Sequence, residues 1–252
     1  MGAVSRCGLL RLPPSPSHSL FDVEQFRAEP RRLAVAREVT GPTLVLGSTQ
    51  PAELVAGPAL RERGVALARR RGGGGAVYLG VGEQLWLDAW IPRDDPLWVV
   101  DVSAAAAWVG AWWLGALAGL GLGLGLGLGQ SGLSGFDVHT GRSVPGDLGD
   151  LVCFAGRGPG EVFHGVSKVV GLSQWRAREG ALFSSCAYLR WDPMPLLALV
   201  EVDDTARAEL ARDLAPMAVG LADLDPPVAD LDRVRAALLD SFPGFGMTPS
   251  SG

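Results

Sequence analysis

Four consecutive glycines, Gly72 to Gly75, can hold neither a helix nor a strand, because each gives up the most backbone freedom on ordering and offers no side chain to bury. They follow three cations, Arg69-Arg70-Arg71, and lead into an apolar, strand-like Ala76-Val77-Tyr78-Leu79. The chain must therefore turn here with its backbone bare. Successive N–H groups in such a turn can converge on an anion, and the arginines add charge and paired donors. On its own the stretch reads equally well as a flexible basic loop, since glycine-rich matches are unspecific.

With 252 residues, 48% of them hydrophobic, the chain can bury a large core. A net charge of −5 argues against a nucleic-acid binder, which would carry a basic stripe. The one dense basic run, Arg61 to Arg71, borders the glycines. Three cysteines, Cys7, Cys153 and Cys186, form neither an even set nor a CxxC pair, which fits a reducing cytoplasm. His18, His139 and His164 do not pair at ligand spacing, so no structural metal is expected. No signal peptide is read at the N-terminus.

The first 35 residues, rich in Pro, Ser and Arg, are expected to be partly ordered. Thr43 to Gly47 reads as a buried strand, Leu60 to Arg70 as a helix, and Leu85 to Ile91, alternating with Trp86, Asp88 and Trp90, as a strand ending at Pro92. Val102 to Phe136 carries no charge. Ala104 to Leu117 is expected to be a buried helix rather than a membrane span, because no Lys or Arg cluster flanks it. The Gly-Leu repeat from 119 to 129 reads as a low-complexity insertion, since alternating glycine costs a helix roughly 1 kcal/mol at each position. Strands are expected at Phe136 to His139, Leu151 to Phe154, Val166 to Leu172 and Ala181 to Leu189. Two helices follow, one carrying Leu210, Leu214 and Met217, the other Leu231, Val234 and Leu238. The fold class is α+β, a mixed or antiparallel sheet flanked by helices.

A second motif changes the weight of the first. Ser167-Lys168-Val169-Val170-Gly171-Leu172-Ser173-Gln174 places a lysine inside an apolar strand. Either that lysine faces solvent from an edge, or it is buried and needs an anionic partner. Gly171 permits close approach of another group to the backbone.

Together the two stretches resemble the lipoate–protein ligase A family of the biotin/lipoyl ligase and octanoyltransferase superfamily. Members carry an Arg-Arg-x-Ser-Gly-Gly-Gly-Ala-Val loop and, later, a Lys-(Val/Ile)-x-Gly strand. Leu46-Gly47-Ser48-Thr49-Gln50 resembles the family's Gly-x-x-Gln turn. The resemblance covers roughly residues 40 to 200. It implies a class II aminoacyl-tRNA synthetase/biotin synthetase-like fold, with residues 36–205 as the catalytic domain and 206–252 as a helical extension. It also implies acyl transfer: attachment of a lipoyl or octanoyl group to a lysine of a lipoyl domain, on a 2-oxoacid dehydrogenase E2 or a glycine-cleavage H protein. Carried over residue by residue, Lys168 would stabilise charge on the acyl carbonyl oxygen. Arg70, Gly73, Gly74, Gly75 and Ala76 in the loop, with Gly171 and Ser173 in the strand, would hold the acyl and phosphate groups. Two positions depart from the pattern. Gly72 stands where the family has serine, and Phe183-Ser184-Ser185-Cys186 stands where it has a His-Gly segment. A biotin ligase is disfavoured, because its Gly-Arg-Gly-Arg-like loop is absent.

Cys153 keeps two readings. Octanoyltransferases of the superfamily use a cysteine in a Cys-Phe pair upstream of the lysine, and Cys153-Phe154 precedes Lys168 with Glu161 between them. On that reading octanoate passes from acyl carrier protein through a Cys153 thioester without ATP. Otherwise Cys153 is a small buried hydrophobe, and a ligase would use ATP with Mg2+. A third alternative is a non-catalytic relative that binds an acyl group.

Overall fold

The computed structural model describes residues 23–122 and 135–243. Most of the Gly-Leu repeat and the first 22 residues lie outside that range. Among the described residues, nine strands form two sheets. The larger is antiparallel throughout and is built from β1 (Leu33–Arg37), β5 (Gln84–Pro92), β9 (Gly180–Tyr188), β8 (Ser167–Arg176), β7 (Val162–His164) and β6 (Phe136–Val138), in that spatial order. The smaller places β2 (Thr43–Leu46) between β3 (Ala66–Arg69), which runs parallel to it, and β4 (Val77–Leu79), which runs antiparallel. The fold is α+β, with a mainly antiparallel sheet flanked by helices.

Helices α1 (Glu24–Arg27) and α4 (Met194–Leu197) are one turn each, and α3 (Val102–Gly119) is the largest piece covering the main sheet. Alanine favours it, and the Asp101 side chain caps it by accepting from the Ala104 amide at 2.7 Å. By length and composition α3 could cross a membrane. Its tryptophans instead tie it to the core. Trp113 Nε1 donates to Ser185 Oγ on β9 at 2.9 Å, and Trp112 Nε1 donates to the Leu238 carbonyl of α6 (Leu231–Asp240) at 3.0 Å. Trp108 meets Phe183 edge-on. The helix tolerates glycine at 110, 115 and 119 and ends ahead of Gly121, which has φ +94°.

Two sequence expectations are corrected. The region from Leu60 to Arg70 is not one helix. Helix α2 (Gly57–Glu62) stops at Gly64, whose φ of +62° is open to glycine and closed to a continuing helix, and the chain then enters β3. Leu151 to Phe154 is not a strand. Val152 makes a single parallel bridge to Ala76, and Cys153–Ala155 coils into a 3-10 turn. The expected pair of C-terminal helices forms as α5 (Asp204–Leu214) and α6, each capped by an aspartate, Asp203 and Asp230. Strand β1, edging the main sheet, lies in the basic N-terminal segment.

Candidate active site

The polyglycine bend joins β3 to β4 and packs on two sides directly against bare backbone. A Cβ on Gly47, just after β2, would sit 1.9 Å from the Gly74 carbonyl oxygen. A Cβ on Gly75 would sit 2.6 Å from backbone atoms of Val152. Gly74 has φ +90°, a conformation that side chains other than hydrogen resist. Polar side chains then lock the bend. Gln50 accepts from the Gly47 amide at 3.0 Å and donates to the Asp150 carbonyl at 2.7 Å. Arg69 Nη1 donates to the Gly47 and Gln50 carbonyls at 2.7 and 2.6 Å. Arg70 Nη2 donates to the Gly73 and Gly75 carbonyls at 2.7 and 2.8 Å.

Next to the bend lies the turn at Cys153. Its N–H donates to the Ala76 carbonyl at 3.0 Å, and its own carbonyl accepts from Lys168 Nζ at 2.6 Å. Lys168 is 1% exposed, so it is a buried cation and not an edge lysine. Its anionic partner is Glu161, just ahead of β7, with Nζ 2.8 Å from either carboxylate oxygen. Glu161 also accepts from the amides of Gly158 at 2.6 Å and Leu172 at 3.3 Å. Burial pushes the Glu161 carboxyl above its ordinary value, opposed by Lys168 and those amides. The Lys168 ammonium has the rings of Phe154 and Phe163 within 5.7 and 5.9 Å. An ammonium has three N–H donors, and the protein engages two sets of acceptors, Glu161 and Cys153.

The bend, the turn at Cys153, Lys168 and Glu161 border one cleft of about 450 Å3. Gly73, Gly74, Gly75, Cys153, Lys168 and Ser173 line it. Val102 and Ala106 of α3 and Leu172 of β8 supply an apolar side. Two motifs far apart in the chain thus share one wall-to-wall site. Arg70, Ala76 and Gly171 do not border that cleft. Arg70 braces the bend through two carbonyls, and Ala76 carries the bridge to Val152. Gly171 makes room for the Phe154 ring, 3.2 Å from where its Cβ would stand. A Cβ at Gly72 would lie 2.9 Å from both Cβ and Oγ of Ser173, so the Ser173 hydroxyl takes up the space beside the loop that a side chain at position 72 would need. The Phe183-Ser184-Ser185-Cys186 segment is β9. There Ser184 donates to Asp88 at 2.6 Å, Ser185 holds Trp113, and Cys186 is buried.

Sequence reasoning missed Glu161 as the partner that makes Lys168 burial tolerable. The available signal was an acid, seven positions earlier, facing the lysine across a β-hairpin. It also missed the buried pair of Arg37 and Asp88, 2.6 Å apart.

The lipoyl protein ligase A/B catalytic domain profile matches residues 23–243, nearly the whole described chain. The chain belongs to that family. Among curated proteins none matches it in sequence. Solved structures share the fold at low identity. A bi-partite lipoate protein ligase from Thermoplasma acidophilum, studied with its E2 lipoyl domain, is 20% identical with a TM-score of 0.65, over 90% of this chain and 79% of its own. Another T. acidophilum structure, with bound lipoic acid, is 20% identical with a TM-score of 0.61, over 90% and 81%. A lipoate-protein ligase A bound with ATP is 21% identical with a TM-score of 0.57, over 84% and 71%. The chain carries a lipoyl protein ligase A/B-type catalytic domain with a lipoate ligase-like fold.

Proposed function

We propose that this chain attaches a lipoyl or octanoyl group to the ε-amine of a lysine on a lipoyl domain. The carrying observation is that Lys168, Cys153 and the bare backbone of Gly73 to Gly75 border a single cleft. Transfer of an acyl group to an amine puts negative charge on the carbonyl oxygen at the tetrahedral stage. Lys168, fixed by Glu161 on the wall of the cleft, stabilises that charge through its own positive charge. The apolar side formed by Val102, Ala106 and Leu172 receives the alkyl tail. The relative studied with its E2 lipoyl domain supports an acceptor of that kind. The reading places the reaction in the cytoplasm.

The route through a thioester has its own support, because Cys153 borders the same cleft as Lys168. On this route Cys153 Sγ attacks the carbonyl of an acyl-carrier thioester. The bond from acyl carbon to carrier sulfur breaks, and the carrier thiol leaves with the proton. The acceptor amine then attacks the Cys153 thioester, an amide forms, and the Cys153 thiol is restored. The relatives holding lipoic acid and ATP support the other route, activation of free lipoate by ATP. Mg2+ would then come with the nucleotide's phosphates. Among the described residues no group of three or more His, Cys, Asp or Glu could hold a metal.

Mass spectrometry of the chain after incubation with octanoyl-carrier protein separates the routes. An octanoyl adduct on Cys153, lost in Cys153→Ala, establishes the thioester. Lipoate and ATP supporting full transfer by Cys153→Ala establishes the ligase. Neither adduct nor transfer with either donor would refute the acyl-transfer reading.

A further inference from the structure

Beside the polyglycine bend lies a small, partly open pocket of about 10 Å3, bordered by Arg37, Arg70, Arg71, Asp88, Ser173 and Ser184. That is room for about one water-sized particle. Among the described residues, four buried side-chain nitrogens have no hydrogen-bond partner in the protein: Arg37 Nη1, Arg70 Nε, Arg70 Nη1 and Trp108 Nε1. Three of the four belong to Arg37 and Arg70, which border this cavity and are 7% and 3% exposed.

The charges around it do not balance. Arg37 and Asp88 neutralise each other through a 2.6 Å contact, and Trp86 and Ser184 take up the other Asp88 oxygen at 3.1 and 2.6 Å. Lys168 and Glu161 form the other buried pair nearby. Arg70 makes no ion pair among the described residues, Glu161 acting on it only at a distance; its hydrogen-bond acceptors are the Gly73 and Gly75 carbonyls. A guanidinium stays charged in proteins, and an unpaired buried charge is costly. Burial holds the neighbouring Cys186 thiol protonated, so it supplies no counter-charge. A water molecule would satisfy the orphan N–H groups and leave the charge uncompensated.

We propose that this cavity is a binding site for a monovalent, halide-sized anion, gripped by Arg37 and Arg70 with the Ser173 and Ser184 hydroxyls at its side. One such anion brings the sum of the buried Arg37, Arg70 and Asp88 to zero, while Arg71 at the rim is exposed to water. The space of about 10 Å3 suits a single small anion better than a phosphate. Because Arg70 also braces Gly73 and Gly75, anion binding fixes the guanidinium and, through it, the bend that walls the cleft. The site is independent of which acyl donor the enzyme uses.

The test uses the full-length wild-type protein at constant ionic strength, with gluconate as the reference anion. The melting temperature is expected to climb with the logarithm of chloride or bromide concentration and to stay flat in gluconate. Chloride-35 resonance lines are expected to broaden on addition of protein. Crystals grown in bromide are expected to show a bromine anomalous peak between Arg37 and Arg70. Arg70→Met is expected to abolish the halide effect; if that variant does not fold, the wild-type bromine peak alone decides. Equal melting temperatures in all salts, with no bromine signal in the cavity, would overturn the proposal and identify the occupant as water.

Discussion

Lys168 Nζ donates to the backbone carbonyl of Cys153 at 2.6 Å. The amide of the same Cys153 donates to Ala76 at the exit of the polyglycine bend, at 3.0 Å. The cation, the thiol-bearing turn and the loop are therefore one hydrogen-bonded unit. A shift in any of the three moves the other two, which has consequences for each variant below.

Lys168→Met removes the cation and leaves Glu161 buried without one, at an expected cost of about 3–5 kcal/mol. Loss of activity in that variant alone could be loss of fold. Lys168→Met with Glu161→Gln removes both charges and is expected to recover most of the melting temperature while acyl transfer stays absent. Recovery of transfer along with stability would show that Lys168 is only a structural partner.

Gly47→Ala drives a methyl group to within 1.9 Å of the Gly74 carbonyl oxygen, and neither backbone can yield without opening the bend. A loss of roughly 1–3 kcal/mol is expected from the overpacking, with a loss of transfer. Thermal melting and an acylation assay check it, and a variant with unchanged values contradicts the described approach of the two glycines.

Gly72→Ser is expected to be destabilising alone, because its Cβ meets Ser173 at 2.9 Å. Adding Ser173→Gly removes the obstacle. The double variant should regain stability relative to Gly72→Ser, less the roughly 0.5–1 kcal/mol that glycine costs inside a strand. Additive losses in the double variant would show that the two positions do not compete for one space.

Much of this site was legible because its motifs rest on local rules. Four glycines cannot be packed as anything but a bare turn, and a lysine inside Val-Val-Gly must be either exposed or paired. The alternation through Leu85 to Ile91 read out β5 for the same reason. What stayed hidden depended on groups distant in sequence or on a single backbone angle. Glu161 becomes a partner of Lys168 only through the register of β7 against β8. The placement of Arg70 behind the loop depends on the return of the chain to Gly75. Leu60 to Arg70 has leucine and arginine content that suits a helix, while Gly64 and the open edge of β2 draw its second half into a strand.

Alkaline pH should weaken the fold. Cys186 and Tyr188 lie on one face of β9, and burial pushes both groups up from ordinary values of 9.0 and 10.0. The folded state keeps protons that the unfolded chain releases, so their contribution is complete below about pH 9 and is lost as pH rises beyond each ordinary value. The expected slope is about 1.4 kcal/mol per pH unit for each group. Urea unfolding between pH 8 and 11 measures it. Tyr188→Phe should flatten the part above pH 10, and an unchanged slope in that variant contradicts the assignment.

The intact mass of an isolated lipoyl domain, recorded after incubation with this chain and either octanoyl-carrier protein or lipoate with ATP, tests the account most directly. A single octanoyl or lipoyl increment on the domain's acceptor lysine, present with wild type and missing with Lys168→Met/Glu161→Gln, is the predicted result. An unmodified domain under both conditions, from a chain shown to be folded, would contradict it.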